Sequence, residues 1–174
     1  FDGAALQDVV EARSGIVAAA DSPEELASRF PQWSFITSGA VRSIMVAPVV
    51  SKDEVVAALI LCSANENGYK EADLDLARRI ALLIGGAVAG AVAGDQVRSR
   101  LQREADQGEL AGEIGRAVAA APTTEEAYTV LAYQVRRLIP FDRIEIATVD
   151  PDGTTLTREH VSGLDVPDDA EKGP

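Results

Sequence analysis

The sequence predicts an α+β fold, with a central antiparallel β-sheet flanked by helices and with one long connecting helix. Two β-rich runs, Val41–Val50 and Glu54–Ser63, are separated by a short polar turn and predict a hairpin. A second pair of runs, Phe141–Val149 and Thr154–Val161, alternates apolar and polar residues around an Asp-Pro-Asp-Gly turn. Between the two hairpins, apolar residues recur at helical spacing from Tyr69 onward.

A short strand and a capped helix precede the first hairpin. The apolar run Gly15–Ala19 suits a buried strand. In the helix that follows, Asp21 or Ser22 can cap the N-terminus, and Pro23 fits the first helical position. We expect this helix to end near Phe30.

The helix that opens at Tyr69 ends in a glycine-rich apolar stretch, Gly85–Gly94. The uninterrupted apolar run is too short for a bilayer, which requires about 20 residues. Gly86, Gly90 and Gly94 lie on one side of the helix, and each costs roughly 1 kcal/mol against alanine. We therefore expect a face that packs closely against another element, with a disordered linker as the alternative.

Prolines, glycines and charges delimit the remaining elements. Pro48 lacks a backbone donor, so the first hairpin strand should be bulged or unpaired there. Residues 95–107 are highly charged and suit a solvated helix or a thin coiled coil, with a break at Gly108. A helical stripe then resumes, Thr123 opens a further helix, and Pro140 ends it.

Composition excludes several classes of function. The formal net charge of −12 disfavours a nucleic-acid partner. No signal-peptide pattern or membrane span is found, so we expect a cytoplasmic protein without membrane insertion. The single cysteine, Cys62, cannot form an intramolecular disulfide and is expected to be a buried thiol.

The order of these elements resembles the GAF domain family. Arg42–Val50, a polar turn, Val55–Ser63 and then Tyr69–Leu74 opening a helix are similar to the C-terminal half of a GAF domain. Ile139–Ile146 and Asp150–Gly153 look like the N-terminal half of a second one. The resemblance implies a sensing or dimerising regulatory module, often found in tandem ahead of histidine kinase, cyclase or phosphodiesterase domains.

We therefore divide the chain into a C-terminal part of one GAF-like domain (1–94), a helical linker (95–108) and an N-terminal part of a second domain (109–174). Half a sheet would leave strand edges uncovered. The halves can complement each other within one chain, as in a circular permutation, or across two chains in a domain swap. The swap requires a straight helix over 69–121, whereas complementation within the chain requires a bend near Gly108.

A ligand pocket is expected near the start of the first hairpin. Arg42 and Ser43 are the best candidates for polar groups that reach a ligand. Trp33, Phe35 and Asp21 could line the same pocket, or the aromatic segment could be a structural lid.

A cyclic nucleotide is not expected. Family members that bind one carry an asparagine, lysine, phenylalanine, aspartate, glutamate string near the final helix. Asn65, Asn67, Tyr69 and Asp73 match this string only in part, the lysine is missing, and Leu74 stands where the glutamate would be. Helix capping and packing explain these residues better.

Neither a tetrapyrrole nor catalysis is expected. Cys62 lies in a predicted central strand and His160 lies far away in the sequence, so the resemblance does not extend to bilin attachment, and haem ligation by His160 is not expected. No nucleophile, base and orienting group can be drawn together, and no metal site is expected.

The sequence thus indicates a non-catalytic sensory module that acts by dimerisation and by helix movement relayed to an output domain absent from this sequence. The alternative is a regulatory domain that binds a small molecule near Trp33 and Arg42.

Overall fold

The computed structural model describes residues 13–30, 39–93, 109–149 and 156–163. The strands within these ranges are β1 Ile16–Ala19, β2 Ser43–Ser51, β3 Glu54–Ser63, β4 Arg143–Val149 and β5 Leu156–Gly163. The helices are α1 Pro23–Arg29, α2 Glu71–Ala93, α3 Glu109–Ala119 and α4 Thr124–Leu138. The strands form one five-stranded sheet in the order β1-β2-β3-β4-β5, and every neighbouring pair is antiparallel. The predicted α+β fold is confirmed.

The first hairpin is confirmed, with a tighter turn than the sequence pattern required. Ser51 pairs with Glu54, and the two residues between them, Lys52 and Asp53, have φ values of 51° and 66°. Positive φ at both central residues matches the twist of the flanking strands.

The irregularity that was predicted at Pro48 lies one residue further on. Pro48 stays in register with Ala58, and the bulge falls between Val49 and Val50. Because β1 pairs with β2 only as far as Val46, no strand within the described residues on that side requires a donor from Pro48.

Side-chain caps fix the helix starts. Ser22 is the cap of α1, since its Oγ accepts the Glu25 N–H at 3.2 Å and Pro23 occupies the first helical position. Thr123 caps α4 in the same way, accepting the Glu126 N–H at 3.2 Å. Both predicted capping segments are confirmed.

Helix α2 begins two residues later than the apolar pattern suggested. The Asp73 carboxylate accepts the N–H of Lys70 at 2.8 Å, which sets the start of the helix at Glu71. Tyr69 precedes the helix and is buried in the core below it.

Helix α3 packs beside α2, and the two share one hydrophobic cluster. They are therefore separate helices rather than one straight rod. Residues 95–108, including the break predicted at Gly108, lie outside the described residues.

The sheet buries apolar side chains on both faces, and we name the faces by what covers them. On the helix face, β2, β3 and β4 pack against α2, α3 and α4; the side chains include Met45, Leu59, Leu61, Ile144, Ile146, Ile80, Ile84, Leu131 and Val135. On the α1 face, alternate residues of the same strands pack with Leu26 of α1; these include Ile44, Val46, Ala58, Ile60, Cys62 and Ala147.

The two sequence segments that resemble half-domains contribute to the same sheet. In this structure β3 pairs with β4 of the same chain, from Ala57 opposite Thr148 to Cys62 opposite Arg143. This arrangement corresponds to complementation within the chain. The boundaries at 94 and 108 stay predictions, because residues 94–108 are not described.

None of the described helices has the length and apolar character needed to cross a bilayer.

Candidate functional site

The polar residues predicted to reach a ligand, Arg42 and Ser43, bind the loop that follows β3. The Arg42 guanidinium lies 2.9 Å from the Glu66 carboxylate, in a pair about one-third exposed. The fully buried Ser43 hydroxyl donates to the Asn65 carbonyl at 2.7 Å. Their observed contacts are thus within the chain, and their role in binding a ligand stays a prediction.

The other residues of that predicted pocket are not brought to Arg42 by any described contact. Asp21 is exposed in the turn before α1, where its N–H donates to the Glu25 carboxylate at 3.2 Å. Trp33 and Phe35 lie outside the described residues.

A group of buried charges occupies the α1 face near the β4–β5 edge. Arg143 pairs across the ladder with Cys62, and Glu145 lies two residues along β4 on the same face. On β5, Arg158 stands opposite Ala147, the next α1-face position of β4. We call Arg143, Glu145 and Arg158 the charged triad.

The side chains of the charged triad are largely buried. The side chains of Arg143, Glu145 and Arg158 are 3%, 0% and 16% exposed. The Glu145 carboxylate lies 3.0 Å from Nε of Arg143 and accepts from Nε of Arg158 at 3.2 Å. Charged side chains are almost never fully buried without such partners.

Burial and pairing oppose each other at Glu145. Desolvation raises the pKa of this carboxyl group, and the two neighbouring guanidiniums act in the opposite direction. At Cys62, burial dominates and raises the pKa of the thiol to about 12. Cys62 is therefore a neutral thiol at physiological pH.

His160 is the residue for which haem ligation was not expected. It lies on edge strand β5, but its ring is half-buried and lies 5.9 Å from the ring of Tyr128 on α4. It stands opposite Ile146 on the helix face, so the sheet separates it from Cys62. Within the described part of the chain, no three His, Cys, Asp or Glu side chains are placed to hold a metal ion.

On the helix face, α2 makes a backbone-to-backbone approach to β2 at Gly85. A Cβ added to Gly85 would lie 3.0 Å from the carbonyl carbon of Val50 and closer still to its oxygen. The contact falls at the bulge of β2 between Val49 and Val50. A glycine is therefore required at this position of α2.

Gly86, Gly90 and Gly94 were the glycines expected to pack. Gly86 is half-buried, the surroundings of Gly90 are not described, and Gly94 lies outside the described residues. Their role stays a prediction.

An Asp142-centred polar cluster connects the two segments of the chain at the end of β3. One Asp142 carboxylate oxygen accepts the N–H of Ala64 at 2.7 Å and the hydroxyl of Ser63 at 3.0 Å. The Asp142 N–H in turn donates to the Cys62 carbonyl at 2.9 Å. These bonds lock the start of β4 to the end of β3.

Sequence reasoning missed the charged triad and Gly85, although the chain carries a signal for each. Opposite charges two residues apart, as in Arg143-Ile-Glu145, share one face of a strand. Ala77, Ala81 and Gly85 recur every four residues, which places small residues along one line of α2.

The fold is an α+β domain: one antiparallel sheet with α2, α3 and α4 packed on one face, and α1 and buried charged groups on the other. The family model for the GAF domain matches residues 2–89, which is just over half of the chain. The chain therefore belongs to the GAF domain family, and it is a regulatory or sensory domain. No curated protein and no solved structure matches it.

Proposed function

We propose that the chain is a cytoplasmic, non-catalytic sensory module of a bacterial-type signalling protein such as a histidine kinase or a cyclic-nucleotide signalling enzyme. In this proposal residues 109–174 are the first part of a second GAF-like domain. The module dimerises and relays a signal through α2 to an output domain outside this sequence, without a bilin, haem or cyclic nucleotide.

The contact between Gly85 and Val50 is the observation that carries this proposal. It joins the backbone of α2 to the backbone of β2, so no flexible side chain can absorb a displacement. Packed elements of this kind shift as units rather than deforming continuously. A change in β2 is therefore transmitted to α2 and to whatever follows it.

Strand β2 can respond to a structural change on either side of the sheet, because its side chains pack on both faces. Ile44 and Val46 belong to the α1-face core, whereas Met45 and Ala47 belong to the helix-face core. A ligand or partner that displaces residues on the α1 face would thus displace α2 as well, because β2 contacts both.

The positions of the single cysteine and the single histidine support a non-catalytic role. Cys62 lies on the α1 face and His160 on the helix face, so the sheet prevents them from forming a nucleophile and base pair.

Coupling between β2 and α2 can be tested by amide hydrogen exchange. Gly85→Ala should accelerate exchange in α2 and in β2 together, because the added methyl group separates them. Gly115→Ala on α3 is the matched control, since an added Cβ there meets nothing within 4 Å. Exchange that rises in α2 alone, or in neither element, would refute the relay.

Dimerisation is tested by light scattering across a dilution series. Leu82 on α2 is an apolar side chain that is 68% exposed, which supports a contact between α2 and a second copy of the chain. Leu82→Lys should then produce a monomer, whereas Tyr133→Lys on α4, where the side chain is 67% exposed, should not. A wild-type chain that is monomeric at all concentrations would exclude this part of the proposal.

The alternative function is a regulatory domain that binds a small molecule near Trp33 and Arg42. The burial of charged side chains on the same sheet face as α1 favours a ligand-binding role of some kind. Because Trp33 is the only tryptophan, its fluorescence reports binding directly. A saturable change in fluorescence that is lost in Arg42→Gln would support this pocket. A change that is the same in Arg42→Gln would exclude Arg42 as a ligand-binding residue.

A further inference from the structure

His160 places a titratable ring at the contact between strand β5 and helix α4. The ring lies 5.9 Å from that of Tyr128, which is buried in the helix-face core and whose pKa burial raises to about 12. The His160 Nε2 atom is buried, and among the described residues it has no hydrogen-bond partner. Both ring nitrogens of a protonated imidazole are donors. Protonation would therefore put a positive charge and an N–H group where no described residue supplies an acceptor to Nε2.

The charged groups around His160 offset this cost only in part. Glu125, in the first turn of α4, favours the protonated ring, but its side chain is exposed and water screens the attraction. Glu159, the neighbouring residue on β5, accepts the hydroxyl of the buried Thr148 at 3.0 Å. The position opposite His160 on β4 is the apolar Ile146. Burial therefore prevails and lowers the pKa of His160 below 6.5.

Strand β5 lies at the end of the described sheet and contributes little to its cores. It pairs with β4 alone among the described strands, and the register shifts between Ile146 and Ala147, next to His160. Exposed and half-buried side chains alternate along β5, and none of them is fully buried. Local opening costs least where few apolar side chains are buried. Strand β5 can therefore separate while β2 and β3, whose side chains form both cores, stay paired.

We propose that the contact of His160 with α4 is a pH-sensitive control of strand β5, in which protonation of the ring releases β5 from α4 and β4 and leaves the rest of the sheet formed. Deprotonation restores the contact, because the neutral ring packs against Tyr128 without a buried charge. Release uncovers the backbone N–H and C=O groups of β4, which can then pair with another strand. The inference goes beyond the relay proposed above, since neither α2 nor β2 takes part in it.

The size of the effect follows from the uptake of one proton. In the released strand His160 is in water, where its pKa is about 6.5. Below pH 6.5 the released state therefore binds more protons than the closed state, and the opening equilibrium rises by up to about tenfold for each pH unit. The rise ends below the lowered pKa of the closed state, where both states are protonated. Above pH 6.5 the ring is neutral in both states and has no effect.

The first test measures amide hydrogen exchange of the wild-type chain by NMR between pH 7 and 5, corrected for the intrinsic pH dependence of exchange. Opening of β5 should require less free energy than opening of β3, and protection in β5 should fall by up to about tenfold per pH unit below pH 6.5. Protection in β5 that does not fall, or that equals the protection in β3 at every pH, would overturn the proposal.

The second test removes the titrating ring. His160→Phe keeps an aromatic ring against Tyr128 but cannot be protonated, so protection in β5 should no longer fall below pH 6.5. An unchanged fall in this variant would assign the pH dependence to another group and overturn the proposal.

The third test compares two carboxylates in the same turn of α4. Glu125→Gln removes a group that favours the protonated ring, so the pKa of His160 measured by NMR should fall further. Glu126→Gln makes the same change of charge in that turn and should leave the pKa of His160 near its wild-type value. Equal effects of the two variants would contradict the placement of His160 against α4. Because the relay is tested by exchange in α2 and β2, either proposal can fail without the other.

Discussion

Substitution of Gly85 by alanine isolates the contact between α2 and β2 with a single methyl group. The added Cβ would overlap the Val50 carbonyl group, which is held in the backbone of a paired strand. Neither partner can turn away as a side chain would. The helix must therefore move off the sheet or the strand must distort at its bulge.

Two opposing terms set the size of the effect. Overpacking a well-filled core costs about 1–3 kcal/mol. Alanine in place of glycine inside a helix returns about 1 kcal/mol through its higher helix propensity. Because the clash is with backbone, we expect the upper part of the overpacking range, and a net loss of about 1–2 kcal/mol. For a chain of this length that is a fall in Tm of roughly 2–8 °C.

The assay is urea unfolding followed by circular dichroism, with Gly115→Ala measured beside Gly85→Ala. Gly115 lies in α3, where an added Cβ has open space, so its variant should gain up to about 1 kcal/mol. The two glycine variants should therefore move in opposite directions. A Gly85→Ala chain as stable as the wild type would refute the argument that the helix and strand backbones touch.

Three further predictions concern Asp142, His160 and Cys62. Asp142→Ala removes the acceptor for the Ala64 N–H and should lower the free energy of unfolding, measured in urea, by about 1–3 kcal/mol. Asp142→Asn keeps an oxygen acceptor, so its free energy of unfolding should fall by less. An equal fall in the two variants would contradict the hydrogen bond. Burial lowers the pKa of His160 below 6.5, so the neutral form is favoured in the folded chain and stability is lost as pH falls through that lowered pKa. NMR of this single histidine should show the lowered pKa, and His160→Phe should reduce the loss of stability between pH 7 and 5; titration at or above 6.5 would contradict the burial. Cys62, with its pKa raised to about 12, should react with a disulfide reagent at pH 8 only as fast as the chain opens, and rapid labelling of the native protein would show that the thiol is accessible.

Sequence reasoning identified residues of the candidate sites but not the distant partners that those residues bind. Arg42 and Ser43 were recognisable as polar groups entering a strand, but their partners Glu66 and Asn65 follow a hairpin later. The sequence did not show that the loop after β3 folds back to bind them. What Trp33 and Phe35 contribute beside them stays a prediction.

Local interactions determined the parts of the fold that sequence reasoning found. Ser22 caps α1 and Thr123 caps α4 because each hydroxyl bonds an N–H three residues ahead. The hairpin of β2 and β3 depends on a two-residue turn and on apolar residues that adjoin it. Such features involve neighbours in sequence, so composition and spacing specify them.

Tertiary packing decided the rest. The pairing of β3 with β4 joins two segments separated by the described helices α2, α3 and α4, and the sequence of neither strand specifies the other as its partner. The sequence of β4 alternates apolar and polar residues, and Glu145 is nevertheless fully buried, because the α1 face of the sheet is also covered. The sequence by itself determined which residues form strands, helices and caps. Only the tertiary structure decided that Arg143 and Glu145 lie in the interior and that Gly85 meets Val50, because both results depend on which distant surfaces are brought together.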